Sequence, residues 1–218
     1  MYSAMIFDLD GVIVDTAKYH YLAWKKIADE LGLKFNSTDN ELLKGVSRQR
    51  SFEIILELNG RKESPEYIEK YCEIKNRYYL DYIERLVPEE VFPGVREFME
   101  EARKSGIKTA LGSASKNSRF ILEKLGITDL FDAVVDGTKV SRAKPDPEVF
   151  LRGAQELQVP PQQCVVFEDS AAGITAAHAG GMKAVGVSNR EVEQRCDYYI
   201  SSFAGLNADV LLKKVAGG

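Results

Sequence analysis

The run Ala4-Met5-Ile6-Phe7-Asp8-Leu9-Asp10-Gly11-Val12 decides how this chain folds. A short apolar segment that stops abruptly in acid and glycine is the pattern of a strand buried on both faces of a parallel sheet. Similar runs follow at 107–111, 133–135, 164–167 and 183–187, with helix-period segments between them at 94–105, 115–125, 145–157 and 170–179. The alternation predicts an α/β fold, a doubly wound, Rossmann-like parallel sheet. Residues 15–90 break the rhythm, because helical segments at 16–31, 39–43, 47–58 and 64–86 succeed one another without a strand. This stretch reads as an α-helical domain inserted after the first strand. Residues 1–14 and 91–218 then form the α/β core domain, closed by a helix within the tail from residue 204 onward.

Composition narrows the function. With 218 residues and 44% hydrophobic content the chain has enough apolar mass for a real core, which excludes disorder. Its two histidines, His20 and His178, cannot build a multi-histidine zinc or iron site, and Cys72, Cys164 and Cys196 are too far apart for a metal knuckle. An odd number of scattered thiols fits a reducing compartment. The N-terminal run meets acid at Asp8, so neither a signal peptide nor a membrane span is expected there, and the expected location is cytoplasmic. A net charge of −4 argues against a nucleic-acid surface.

Period-two geometry starts the Asp8 and Asp10 side chains on one side of the strand exit. Alone, Asp-x-Asp-Gly is equally a surface turn. A second acid pair, Glu168-Asp169, ends the apolar run Val165-Val166-Phe167. In an open parallel sheet the carboxyl ends of the strands form the ligand crevice, so these acids would converge and repel one another unless a cation neutralised them. Oxygen ligands without histidine favour a hard ion, and Mg²⁺ suits best. Ser113 lies just ahead of a predicted helix, as an anion-binding hydroxyl or a plain N-cap. Lys144 precedes Pro145-Asp146-Pro147, which is expected to place it beside a helix N-terminus, although a lone lysine there would as readily be solvated. The ordered set of Asp-x-Asp, Ser, Lys and Glu-Asp, each at its own strand exit, favours the functional reading.

Asp8-Leu9-Asp10-Gly11-Val12, Ser113, Lys144-Pro145 and Glu168-Asp169 resemble the four motifs of the haloacid dehalogenase superfamily, and the helical insert resembles its cap domain. The resemblance implies that Asp8 is a nucleophile forming an aspartyl phosphate and that Asp10 is the general acid and base. Ser113 and Lys144 would hold the transferring phosphoryl. Mg²⁺, one per site, would be held by Asp8, the backbone carbonyl of Asp10, Glu168 and Asp169. Carbon-halogen chemistry is disfavoured by the second aspartate.

In the insert, Thr16, His20 and Trp24 are spaced by four and share a helix stripe, which by itself also describes a buried seam. Lys44-Gly45-Val46-Ser47-Arg48 joins a glycine loop to two cations, a phosphate site or a solvated loop. Lys75 sits in a highly charged helix, where composition alone suggests the surface. Together with Ser113-Ala114-Ser115-Lys116-Asn117, these segments resemble the beta-phosphoglucomutase family within that superfamily. That family interconverts beta-D-glucose 1-phosphate and D-glucose 6-phosphate through beta-glucose 1,6-bisphosphate, which also primes the enzyme. The resemblance implies that Arg48, helped by Ser115, Lys116 and Asn117, binds the non-transferring phosphate and that Ala114 also contacts substrate. It further implies that His20, Trp24, Lys44, Gly45, Val46, Ser51 and Lys75 recognise the sugar or couple cap closure to Asp10, and that Thr16, at the junction, is the hinge partner of Asp10. The expected partners are small-molecule sugar phosphates, met by a monomer, with neither nucleic acid nor membrane involved. A phosphatase of the same superfamily is the alternative, and a non-catalytic sugar-phosphate sensor has no need of the intact acid set. His178 reads as structural, and 188–196 carries no catalytic signal. Gly112, where alanine is common in the superfamily, is expected to matter little.

Overall fold

The computed structural model describes residues 2–43 and 46–217, so Lys44 and Gly45, both expected to contact substrate, lie outside the described residues. The chain divides into two compact units, Met1–Asp15 with Val87–Gly218, and Thr16–Leu86.

The first unit is built on a six-stranded, all-parallel sheet: β1 (Ala4–Phe7), β2 (Lys108–Gly112), β3 (Ala133–Val135), β4 (Cys164–Glu168), β5 (Lys183–Val187) and β6 (Tyr198–Ile200), in the spatial order β3-β2-β1-β4-β5-β6. That order reverses direction at β1, so the crevice beyond β1 and β4 is where a doubly wound sheet binds its ligand. Register places Phe7 level with both Leu111 and Phe167, bringing the β1, β2 and β4 exits to one edge. The central strands are buried on both faces, which is why they read as unbroken apolar runs. Ile6, Ala110 and Val166 pack with Phe150 on one side, while on the other Phe7 stacks on Phe167 at 4.6 Å between ring centroids, beside Phe98 and Phe203.

The helices of this unit begin later than the sequence suggests. α6 (Ser118–Leu125) starts three residues beyond Ser115, and α7 (Glu148–Leu157) starts beyond Pro145, with Pro147 as its N-cap. Lys144 therefore stands in an irregular loop with a cis peptide to Pro145, rather than beside the first turn of a helix. The reason is that Asp146 accepts from the Glu148 amide and Glu148 accepts from the Arg142 amide, which closes the loop before α7 begins. The remaining helices are α5 (Val95–Lys104), α8 (Ala171–Ala179) and α9 (Ala208–Gly217). β6 is unexpected: Tyr198, Tyr199 and Ile200 form an edge strand too short for a periodicity signal.

The second unit contains α1 (Ala17–Glu30), α2 (Ser37–Asn40), α3 (Arg48–Leu58) and α4 (Pro65–Ile83). α1 buries Ala23, Trp24, Ile27 and Ala28, an apolar stripe of helical spacing, and ends where Gly32 turns left-handed. Ser64 caps α4 by accepting from the Tyr67 amide, and Pro65 fits the first turn. Packing settles the boundaries: Asp15 and 87–90, expected in the insert, belong to the α/β unit. No helix among the described residues is long and apolar enough to cross a membrane.

Candidate active site

The β1 exit carries Asp8, which is buried, and its amide donates to the Phe167 carbonyl of β4. The Lys144 Nζ lies 2.6 Å from Asp8 Oδ1 and 2.7 Å from Glu168 Oε2, bridging the two strand ends. Its charged end also sits 4.7 Å from the centroid of the Phe150 ring. Glu168, 1% exposed, uses its other oxygen to accept from the Ser170 amide and hydroxyl at 3.1 and 2.7 Å. Ser170 in turn caps α8 by accepting from the Gly173 amide. Asp169 completes an acidic trio, since one oxygen from each of Asp8, Glu168 and Asp169 lies within 4.8 Å of the others.

The charges here are strongly perturbed. Burial raises the Asp8 carboxyl, Lys144 opposes that rise and Glu168 adds to it. Asp169 is raised by burial first and then by its anionic neighbours Asp8 and Glu168. For Lys144, burial would lower the ammonium, but Asp8 and Glu168 outweigh it and drive it up. Asp10 is raised to about 7, by burial foremost and by the Asp8 charge next. A carboxyl that titrates near neutrality suits proton transfer in either direction.

The trio also fits a divalent cation. Three carboxylates face one ammonium, leaving an excess of negative charge in a buried place, and every donor is a hard oxygen. Gly11 is part of this arrangement: its φ is +77°, and a Cβ there would stand 2.1 Å from Asp169 Oδ2, so only glycine lets the two loops meet.

Ser113 leaves β2 one residue past the strand, buried, with its amide donating to Val135 and its hydroxyl accepting from the Ser115 amide at 3.1 Å. The Ser115 hydroxyl accepts from the Asn117 amide, and the Ser115 carbonyl accepts from Gly137 and from Ser118 Oγ. This loop is therefore folded on its own hydrogen bonds, with Ala114 and Lys116 exposed. Gly112 matters more than its sequence position suggests. A Cβ there would lie 2.8 Å from Phe150 Cδ1 and 3.1 Å from Ile6 Cγ2, inside the packed core.

In the helical unit, Lys75 is 2% exposed rather than at the surface. It follows the buried stripe Cys72, Lys75, Tyr79 and Ile83 of α4, a spacing that outweighs the charged composition of the helix. Its Nζ lies 2.6 Å from His20 Nδ1 and within 5.2 Å of the Trp24 ring centroid and 4.8 Å of that of Tyr79. His20 stacks on Tyr79 at 4.0 Å. Because an ammonium only donates, Nδ1 accepts and the imidazole proton sits on Nε2. Burial, then the Lys75 and Arg48 charges, holds His20 well below its ordinary pKa. Arg48 donates to Asn76 Oδ1 at 2.9 Å. Trp24 is also core, stacked on Phe52. Thr16 is buried and Val46 exposed, while the Ser51 hydroxyl is engaged with the Ser47 carbonyl of its own helix.

Residues the motifs did not point to are Ser170, Ser188 and Asn189. Ser188 Oγ donates to the Gly11 carbonyl at 3.3 Å and Asn189 Nδ2 to the Asp169 carbonyl at 2.9 Å. Ser170 was readable as a helix N-cap, whereas nothing in the sequence around Ser188 foretold its place. His178 is tied to Asp197 at 2.8 Å, away from the acidic trio in an ion-paired surface cluster.

A doubly wound sheet presenting Asp-x-Asp-Gly, a lysine and a Glu-Asp pair at one edge defines a class, and the family comparison agrees with the geometry. The model of the haloacid dehalogenase-like hydrolases matches residues 2–181, and the chain belongs to that family. Within it, the chain is similar to the beta-phosphoglucomutase of Bacillus subtilis (strain 168), 41% identical over 210 residues, covering 95% of this chain and 93% of that protein. It is also similar to the fructose-1-phosphate phosphatase YqaB of Escherichia coli (strain K12), 36% identical over 187 residues, covering 85% and 96%. Among solved structures, the beta-phosphoglucomutase of Clostridium difficile superposes with a TM-score of 0.92 at 40% identity, covering 100% of this chain and 98% of that one.

Proposed function

We propose that this protein is a phosphoryl-transfer enzyme that interconverts beta-D-glucose 1-phosphate and D-glucose 6-phosphate by way of beta-glucose 1,6-bisphosphate. Asp8 is the nucleophile, taking the phosphoryl group as an aspartyl phosphate and returning it to the other hydroxyl of the sugar. Asp10 protonates the departing sugar oxygen and takes the proton from the incoming hydroxyl, a dual task matched by a pKa of about 7. Lys144 offsets the charge that would otherwise keep an anionic phosphoryl from an anionic carboxylate, and Ser113 donates to its oxygens. Asp8, Glu168 and Asp169, with the Asp10 backbone carbonyl, would hold Mg²⁺, which when bound supplies further positive charge to the transferring group.

A mutase must accept the same bisphosphate in two orientations, so it needs a second phosphate site as cationic as the first. Arg48, which donates to Asn76 within the helical unit, is assigned to phosphate binding, and so, within the α/β unit, are Ala114, Ser115, Lys116 and Asn117. Within the helical unit, His20, Lys44, Gly45 and Val46 are assigned to sugar recognition, and the buried Thr16, Trp24, Ser51 and Lys75 to the packing that supports that unit. The observation that carries mutase over phosphatase is the 41% identity to a beta-phosphoglucomutase across 95% of the chain, helical unit included.

The test is a coupled assay with Mg²⁺, beta-glucose 1-phosphate and a trace of the bisphosphate, comparing alpha and beta anomers. Glucose 6-phosphate from the beta anomer supports the reading. Stoichiometric inorganic phosphate without isomerisation would instead identify a phosphatase, the reading favoured by the 36% identity to a fructose-1-phosphate phosphatase. Asp8→Asn is expected to abolish turnover while substrate binding persists.

A further inference from the structure

We propose that the Ser188-Asn189 turn after β5 is a positioning device that sets the Asp169 carboxylate and thereby the Mg²⁺ affinity of the acidic trio. The proposal rests on the reading of that trio as a Mg²⁺ site. The loop that leaves β1 and the loop that leaves β4 meet face to face at Gly11 and Asp169, with no room for even one carbon between them. Only Asp169 puts a side chain into that contact, its carboxylate, and Gly11 has none with which to hold it in register. The turn supplies what is missing, because it grips both backbones at once: Ser188 Oγ on the Gly11 carbonyl and Asn189 Nδ2 on the Asp169 carbonyl.

The turn is itself firmly held. The Ser188 amide donates to the Ile200 carbonyl, and the Tyr199 hydroxyl donates to the Ser188 carbonyl at 3.0 Å, so the short edge strand β6 is its anchor. Ser188 has φ +55°, a left-handed conformation that residues with a Cβ seldom adopt and that persists only where the surroundings impose it. Asn189 has two jobs that use different atoms. Its Oδ1 accepts from the Glu191 amide at 3.0 Å and caps the following turn, while its Nδ2 reaches Asp169. Groups that orient a metal-binding carboxylate without touching the metal change affinity by about 10- to 100-fold when removed.

The two jobs of Asn189 are separable. Asn189→Asp keeps an oxygen for the Glu191 amide but loses the donor to Asp169, and it adds negative charge that by itself would favour a cation. Calorimetric titration with Mg²⁺ alone, on the full chain without sugar phosphate, is expected to show Kd raised about 10-fold or more in both Asn189→Asp and Asn189→Ala. Ser188→Ala, which leaves Asn189 in place, is expected to weaken binding about 3-fold, a smaller share of the same effect. Turnover should be recovered at saturating Mg²⁺, which a general loss of structure would not allow. If Asn189→Asp binds Mg²⁺ within about 2-fold of the parent, Asn189 is only a turn cap and the proposal is overturned. If the parent itself binds no Mg²⁺, the metal reading falls and takes the proposal with it. Neither result touches the choice between mutase and phosphatase, which the sugar-phosphate assay decides.

Discussion

Replacing Lys144 by methionine should destabilise the fold as well as stop the reaction. The side chain is 12% exposed and its Nζ contacts two carboxylates, Asp8 and Glu168, whose side chains are 11% and 1% exposed. Methionine fills much of the same space against Phe150 but leaves both acids without their cation. Breaking a buried pair from one side costs about 3–5 kcal/mol. In a chain of this length each kcal/mol lowers Tm by about 2–4 °C, so a drop of about 6–20 °C is expected when measured in EDTA, where no divalent ion can substitute. Added Mg²⁺ should restore part of it. Burial holds the folded pKa of Asp8 above that of the unfolded chain, so its cost is greatest at high pH and is relieved as it protonates. The gap between variant and parent should therefore narrow from about pH 8 to about pH 5. Asp8→Asn in the Lys144→Met background removes one of the stranded charges and should recover stability, the non-additivity that marks a direct pair. A Lys144→Met protein melting within about 2 °C of the parent in EDTA would refute the claim that this ammonium balances the site.

Three other outcomes follow from single sites. His20 is held neutral, so the unfolded chain takes up a proton near pH ~6.5 that the folded chain refuses, and stability should fall as pH drops below that value. The urea midpoint should fall more between about pH 7.5 and about pH 5.5 for the parent than for His20→Gln, and equal falls would count against a neutral His20. Asp197 lies below its ordinary pKa because bonds from Lys183, the Ala184 amide and His178 outweigh the effect of burial. Asp197→Ala should cost about 1.5–3 kcal/mol near neutrality, an advantage of the parent that is complete above about pH 4 and disappears as pH falls through the folded value. Gly112→Ala pushes a methyl against Phe150 and Ile6, and a thermal melt should show about 1–3 kcal/mol of destabilisation.

The acidic trio was legible because its members lie next to strand ends, and a strand end is a local signal. Asp8 follows the apolar run of β1, and Glu168-Asp169 follow that of β4, so the sheet rule alone brings them together. Lys144 was legible as a residue but not in its setting. The sequence suggested a helix start at Pro145, and the bonds through Asp146 and Glu148 that delay α7 join side chains to backbone, which no periodicity reports. Lys75 shows the reverse error: composition pointed outward, while its place on the stripe with Cys72 and Tyr79 points inward. In that helix, geometry of spacing was the better guide than charge.

By itself the sequence determined the class of fold, the helical insertion after the first strand and the identity of the acids at the sheet edge. These depend on short apolar runs, their periodicity and what stands at their ends, all of which are local. Only the tertiary structure decided which cation pairs with which acid, that a lysine of the insert is buried against His20, that β6 exists, and that a turn without a motif grips Gly11 and Asp169. Each of those depends on two segments far apart in the chain reaching hydrogen-bond distance. Such encounters are set by packing of the whole sheet, and residue order carries no direct record of them.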